Sequence, residues 1–170
     1  MTGARGWPYS DPVARQSGRG KSPETKLALA ERMRVLDQAP LFSGLARKHL
    51  KSIARDTSVR TFYDGATIVR EGQKAANCFV IVEGAATVTK QGQQIAVLGR
   101  GDVIGELAIL DNVPRTATVV ATGGEVVAVH ISRPRLLEYL EANPKVSLRL
   151  LGILARRLRE TTESALSAET

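Results

Sequence analysis

Residues 79–98 read FVIVEGAATVTKQGQQIAVL, and their pattern indicates the fold class. Short runs of apolar and β-branched residues are separated by two pairs typical of turns, Glu83-Gly84 and Gln91-Gly92. The same pattern continues on both sides with Asp64-Gly65, Glu71-Gly72, Gly101-Asp102 and Gly123-Gly124. Turn pairs spaced by about ten residues predict an antiparallel sandwich or barrel of the jelly-roll type. Parallel strands would need long helices between them, and this region contains no such pattern.

The predicted strands lie between residues 57 and 131. They are Val59–Tyr63, Thr67–Val69, Phe79–Val82, Ala86–Thr89, Gln94–Leu98, Ala117–Ala121 and Val126–Ile131. Helical patterns flank them on both sides. The predicted helices start at Ser22-Pro23-Glu24 and end before Pro40, span Ala46–Arg55, start at Ser132 and end at Asn143-Pro144, and run from about Lys145 toward Ala165. The sequence therefore predicts an α+β fold, a β-roll or jelly-roll barrel between N-terminal and C-terminal helices.

Composition and charge limit the class of protein. The chain has 170 residues, 43% apolar and 24% charged, as in a globular domain, and no run is apolar and long enough to cross a membrane. We expect residues 1–21 to be a disordered basic tail, 22–165 to be one domain and 166–170 to be a short tail. Cys78 is the only cysteine, and we interpret it as a core residue of a cytoplasmic protein. The net charge of +7 is spread along the chain, which argues against nucleic-acid binding as the main function.

One stretch interrupts the strand pattern and carries the candidate chemistry. Residues 99–118 read GRGDVIGELAILDNVPRTAT, in which a single helical turn follows Gly105 and Arg115 follows a turn. A helix entered through glycine offers unpaired backbone N–H groups to an anion. The guanidinium of Arg115 adds a fork of donors that matches two phosphate oxygens, and Glu106 can accept hydrogen bonds from a sugar hydroxyl. Together these residues predict a site for a ligand that is anionic at one end and hydroxylated beside it.

The segment Gly105–Thr118, GELAILDNVPRTAT, resembles the phosphate-binding cassette of cyclic nucleotide-binding domains. This is the family of the bacterial catabolite activator protein, the regulatory subunits of protein kinase A and cyclic nucleotide-gated channels. The resemblance covers about residues 36–162 and implies the double-stranded β-helix of that family. It also implies that Glu106 binds the ribose 2′-OH and Arg115 the cyclic phosphate. Supporting backbone amides are implied at Gly105, Leu107, Ala108 and Thr116.

The last helix resembles the dimerising helix of the activator protein. The match is ARRLRETTE at residues 155–163, and it implies that Thr161 and Thr162 meet the adenine, the second from the partner subunit. We therefore expect a homodimer through this helix and favour cAMP as ligand, with cGMP as the alternative because Thr116 offers a hydroxyl that can reach a guanine amino group. Too few residues follow this helix for a helix-turn-helix, which needs about 20. We expect no sequence-specific DNA binding unless the sequence is a fragment of a longer regulator.

Other functions receive less support from the sequence. A metal-dependent enzyme on a similar barrel would need clustered histidines, whereas His49 and His130 lie far apart in sequence. Gly99-Arg100-Gly101 imitates a dinucleotide fingerprint only weakly, because no long helix follows. Glu106 and Asp111 form a carboxylate pair, but Arg115 beside them favours binding over hydrolysis. We therefore expect no catalytic residues and no metal, and two functions stay open: a stand-alone cyclic nucleotide sensor that acts on a protein effector through its last helix, or an interaction module that no longer binds nucleotide.

Overall fold

A computed structural model of the chain describes residues 27–168, without the side chains at positions 107, 108, 157 and 160–168. The elements are α1 (Leu29–Gln38), α2 (Arg47–Arg55), β1 (Ser58–Phe62), β2 (Thr67–Val69), β3 (Asn77–Lys90), β4 (Gln93–Leu98), β5 (Val103–Ile104), α3 (Glu106–Asp111), β6 (Thr118–Ser132), α4 (Arg133–Ala142) and α5 (Pro144–Ala168). The tail expected at 1–21 lies outside the described residues. The helix start expected at Ser22 also lies outside the described residues; α1 begins at Leu29, and the two described residues before it, Leu27 and Ala28, are not helical.

The strands form one antiparallel sheet in the order β1-β6-β3-β4, with β2 paired to β6 and β5 paired to β3. Helices lie on both ends of this strand region in the chain, so the predicted α+β fold with an antiparallel roll is confirmed. No pairing joins β1 to β4 within the described part of the chain, so the sheet does not close into a complete barrel.

Two of the six predicted turns are wrong, because β3 and β6 continue through them. The register between these strands shifts on each side of Glu83, which marks a bulge. Gly84 has a φ of +89°, and a Cβ there would lie 2.2 Å from the Glu125 carbonyl oxygen. Gly123 and Gly124 also have positive φ within β6. The glycines therefore bend two long strands and let their backbones approach closely, where the sequence had suggested chain reversals.

The core consists of two clusters separated by the sheet. Alternate residues of β3 enter them: Cys78, Val80 and Val82 pack with the helices, whereas Phe79 and Ile81 face the interior of the roll. The interpretation of Cys78 as a core residue is confirmed, since none of its surface is exposed.

Among its described side chains, the last helix, α5, packs against the domain through one side. Val146 and Leu150 are 3% exposed and belong to the core cluster that Cys78, Val80 and Val82 form with the helices, which we call the helical cluster. Leu148, Leu151 and Leu158 on another side are 61–69% exposed. The helix is described to Ala168, past the predicted end at Ala165, and neither proline nor glycine occurs between these two residues. Within the described residues no helix is both long and apolar enough to span a bilayer.

Candidate functional site

The site begins where β5 ends and α3 starts. β5 pairs with β3, and Gly105 then turns the chain into α3 with a φ of +79°. A Cβ at this position would lie 1.9 Å from Nη1 of Arg115. Glycine is therefore required here for two reasons, the left-handed backbone and the guanidinium that lies against it. Asn112, also left-handed with a φ of +59°, ends the helix. The predicted helical turn at Glu106–Leu110 is confirmed and is one residue longer.

Arg115 is a buried arginine, 6% exposed, with an oriented guanidinium. Its Nη1 donates a hydrogen bond to the Gly105 carbonyl oxygen at 3.2 Å. Its Nη2 donates to the carbonyl oxygen of Asn77 at 2.5 Å and to the Asn77 side-chain oxygen at 3.0 Å. Burial lowers the pKa of Arg115, while nearby Cys78 acts in the opposite direction. These three neutral acceptors fix the direction of the guanidinium and leave room for an anion to interact with its charge.

The backbone around Arg115 is fixed as well. Arg115 N–H donates to the Gln73 carbonyl oxygen at 2.8 Å, and Gly72 N–H donates to the Arg115 carbonyl oxygen at 2.8 Å. Lys74 and Pro114 form a β-bridge next to this pair. The loop after β2 thus holds the segment that carries Arg115, because both the N–H and the carbonyl group of Arg115 are hydrogen-bonded to this loop.

A cavity of about 250 Å³ lies beside α3. Four of the predicted site residues line it: Gly105, Glu106, Arg115 and Thr116. The remaining lining is mostly apolar: Val69, Val88, Leu98, Val103, Ile104, Val113, Ala117 and Val119, with Asp111 as a further polar residue. The cavity therefore combines a charged end with an apolar wall, which suits a ligand with an anionic group and a flat apolar part.

The other predicted site residues are described only in part. Leu107 and Ala108 lie in the first turn of α3, where their backbone N–H groups were expected, but their side chains lie outside the described residues. Thr161 and Thr162 lie in α5, and their side chains are also outside the described residues. Their assignment to the adenine stays a prediction.

Sequence reasoning missed Asn77, the residue that orients Arg115. It is the first residue of β3, directly before the buried run that begins at Cys78. A polar side chain at the start of a buried strand was the only available signal, and it did not indicate a contact with a residue 38 positions away.

Cys78 lies under the same site and responds to its charges. Burial raises the pKa of its thiol to about 12, with a further increase from the Glu106 carboxylate and a decrease from Arg115. The thiol therefore stays protonated and is not a nucleophile at neutral pH.

The alternative chemistries find no support in the described residues. Among these residues no group of three or more histidine, cysteine, aspartate or glutamate side chains is arranged to hold a metal ion. His49 Nδ1 lies 2.6 Å from the Tyr139 hydroxyl, and His130 Nδ1 lies 3.2 Å from the Ser58 hydroxyl, so the histidines belong to separate contacts. Asp111 accepts a hydrogen bond from Val113 N–H at 3.3 Å, as a turn residue does.

Comparison with known sequences connects this geometry to a family. The sequence profile described as "Cyclic nucleotide-binding domain" matches residues 59–143, which include β5, α3 and Arg115. The chain belongs to the cyclic nucleotide-binding domain family. The resemblance noted from residues 105–118 is thereby confirmed, and the domain is of the regulatory kind found in protein kinase A regulatory subunits and in CRP-like regulators.

Three similar proteins illustrate the range of this family. The cAMP-dependent protein kinase regulatory subunit of Mycosarcoma maydis is 37% identical over 140 residues, 79% of this chain and 26% of that protein. The CRP-like cAMP-activated global transcriptional regulator of Mycobacterium tuberculosis is 29% identical over 135 residues, 76% of this chain and 60% of the regulator. A solved N-terminal domain of a transcriptional regulator from Streptomyces coelicolor A3(2) has a TM-score of 0.66 and 32% identity, covering 76% of this chain and 93% of that domain.

The chain spans only part of the two curated relatives, about a quarter of the kinase subunit and 60% of the transcriptional regulator. What it shares with them is therefore the cyclic nucleotide-binding domain, and not the kinase-regulating or gene-regulating protein as a whole.

Proposed function

We propose that this protein binds a cyclic nucleotide in the cavity beside α3, with cAMP favoured over cGMP, and that this domain has a regulatory rather than a catalytic role. The observation that carries the proposal is Arg115: a buried, oriented guanidinium that lines one cavity together with Glu106. In this assignment Arg115 binds the cyclic phosphate and Glu106 the ribose 2′-OH, with backbone N–H groups of Gly105, Leu107, Ala108 and Thr116 as further donors.

The donor count of Arg115 supports the phosphate assignment. A guanidinium has five N–H donors, and the bonds to Gly105 and Asn77 use three of them, which leaves two for a ligand. A cyclic phosphate carries one negative charge on two exposed oxygens. A charge-assisted hydrogen bond in a partly buried cavity is stronger than one in water.

The proposed preference for cAMP follows from the relatives. The names of the Mycosarcoma and Mycobacterium relatives specify cAMP, which favours the same ligand here. Thr116 lines the cavity and would also offer its hydroxyl to a guanine amino group. In our proposal Thr161 and, from the partner subunit, Thr162 contact the adenine.

The signal would pass from α3 to the C-terminal helices through two contacts. Ile109 of α3 is fully buried in the helical cluster, together with residues of α1, α4 and α5. At the end of α3 the Ile109 carbonyl oxygen accepts a hydrogen bond from Arg133 Nε at 2.7 Å, and Arg133 is the first residue of α4. A ligand that draws α3 toward its phosphate would therefore shift the helices if it binds the shifted state more tightly.

The output we propose is a dimer surface on α5 that a protein effector reads. Leu148, Leu151 and Leu158 recur at three- and seven-residue steps and are exposed, as in a helix that pairs with a second copy. We propose a cytoplasmic location, since Cys78 is a free thiol.

Calorimetric titration with cAMP and cGMP, side by side, tests the proposal. We expect the parent to bind cAMP more tightly, and Arg115→Leu to bind at least ten- to a hundredfold more weakly, about 1.5–3 kcal/mol for a lost charge-assisted bond. Arg70→Leu removes an exposed arginine and is the matched control. Thermal unfolding must show that Arg115→Leu is folded. No binding by the parent would favour the module that has lost nucleotide binding, whereas equal affinity of Arg115→Leu and the parent would remove Arg115 from its assigned role.

A further inference from the structure

A second cleft lies between the loop after α1 and the middle of α5. It has a volume of about 440 Å³ and is lined by Ser43, Gly44, Arg149, Gly152, Ile153 and Arg156. We call it the arginine cleft. It shares no lining residue with the cavity beside α3, and the proposed nucleotide site makes no use of it.

Both walls of the arginine cleft are held by the core. On the loop side, Leu41 and Phe42 are fully buried and Leu45 is 6% exposed, so Ser43 and Gly44 lie between anchored residues. On the helix side, Val146 and Leu150 fix the first part of α5 against the domain. The arginines therefore project from a backbone that is positioned before any ligand arrives, which lowers the entropy lost on binding.

Glycine keeps the cleft open at two points. Gly44 has a φ of +72°, and a Cβ there would lie 2.6 Å from Nη2 of Arg149, so the guanidinium lies against bare backbone. Gly152 lies on α5 between the two arginines, and a Cβ at this position would meet nothing within 4 Å. The space above Gly152 is therefore free.

The charges lining the arginine cleft have one sign. The lining contains two guanidinium groups and no carboxylate. Among the described side chains, the ion pairs are Arg34–Glu31, Arg100–Glu31 and Arg135–Glu138, and neither Arg149 nor Arg156 takes part. Ser43 adds a hydroxyl that donates a long hydrogen bond, 3.4 Å, to the Pro40 carbonyl oxygen.

From this arrangement we propose that the arginine cleft binds a small molecule that carries two phosphoryl groups. Each guanidinium presents a fork of N–H donors that matches two oxygens of one phosphoryl group. Seven residues of helix separate the Cα atoms of Arg149 and Arg156 by about 10.5 Å, a distance that two arginine side chains can close over Gly152. The ligand would bind between the forks, with Ser43 as an additional donor.

The test is calorimetric titration of the full chain with inorganic pyrophosphate at constant ionic strength. We expect one pyrophosphate per chain at the arginine cleft. Arg149→Gln and Arg156→Gln should each weaken binding at least about tenfold, the equivalent of about 1.4 kcal/mol. Gly152→Leu keeps both charges, replaces glycine by a better helix former and fills the open space, so it should abolish binding in a folded protein.

Arg159→Gln is the matched control, because it removes an equal charge from an exposed position of α5 that does not line the cleft. It should bind pyrophosphate as the parent does. An equal loss in Arg159→Gln would show general attraction to a basic helix and overturn the proposal. So would binding that survives Gly152→Leu but disappears in Arg115→Leu, since that result assigns the anion to the cavity beside α3. The absence of binding by the parent would overturn it as well.

Discussion

Asn77→Ala tests whether Arg115 is held ready for its ligand. The substitution removes the side-chain oxygen that accepts from Nη2 at 3.0 Å and leaves the backbone acceptor at 2.5 Å in place. A hydrogen bond to a charged group contributes about 1.5–3 kcal/mol to stability. Because Nη2 keeps its bond to the backbone oxygen of Asn77, we expect the free energy of unfolding to decrease by an amount at the lower end of this range.

The expected loss of affinity for cAMP comes from the ordering of the Arg115 guanidinium. If the guanidinium is less restrained in the free protein, the ligand must order it on binding, at a cost of about 0.5–1.5 kcal/mol. We therefore expect cAMP to bind about two- to tenfold more weakly to Asn77→Ala in calorimetry, together with a loss of stability in chemical denaturation.

Asn143→Ala is the matched control for this experiment. The Asn143 side chain donates to the Tyr139 carbonyl oxygen at 2.8 Å at the end of α4, so the control also loses one hydrogen bond of an asparagine. It should lose stability without losing affinity. Unchanged affinity in Asn77→Ala would refute the positioning role, and tighter binding would show that Asn77 competes with the ligand for Arg115.

Three further predictions concern the ribose, the last helix and the buried thiol. Glu106→Gln should discriminate less between cAMP and 2′-deoxy-cAMP than the parent, because a neutral amide accepts the 2′-OH proton less strongly; an unchanged ratio of the two affinities would separate Glu106 from the hydroxyl. Deletion of residues 158–170 removes Leu158, one of the exposed leucines of α5, and should give monomers in light scattering, whereas a persistent dimer would place the interface elsewhere. Cys78 should react with thiol reagents only after unfolding. Since its pKa is raised from 9.0 to about 12, the folded state retains a proton that the unfolded state loses, so stability should decrease as the pH rises above 9, and a flat denaturation profile between pH 8 and 10 would contradict this.

The sequence predicted the local structure of residues 105–115 better than the strand boundaries, because this structure depends on neighbouring residues. The helical turn at Glu106, the glycine before it and the arginine after it all act within eleven residues, so their spacing is readable from the sequence. The Glu83-Gly84 and Gly123-Gly124 pairs were misread because a bulge and a turn both require positive φ. Only the partner strand decides between them, as the Glu125 carbonyl oxygen does opposite Gly84.

Asn77 and the arginine cleft could not be predicted, because both depend on residues distant in the chain. Asn77 meets Arg115 only when β3 and the segment after α3 come together. Gly44 and Arg149 are separated by most of the domain, and nothing in either local sequence indicates that the loop after α1 faces α5.

A crystal structure of the protein with cAMP would show whether Arg115 binds the cyclic phosphate. We expect the cyclic phosphate in the cavity beside α3, with its oxygens about 2.7–2.9 Å from the Arg115 guanidinium, and the ribose 2′-OH on Glu106. This expectation would be contradicted by a nucleotide bound elsewhere, or by one in this cavity whose phosphate makes no contact with Arg115.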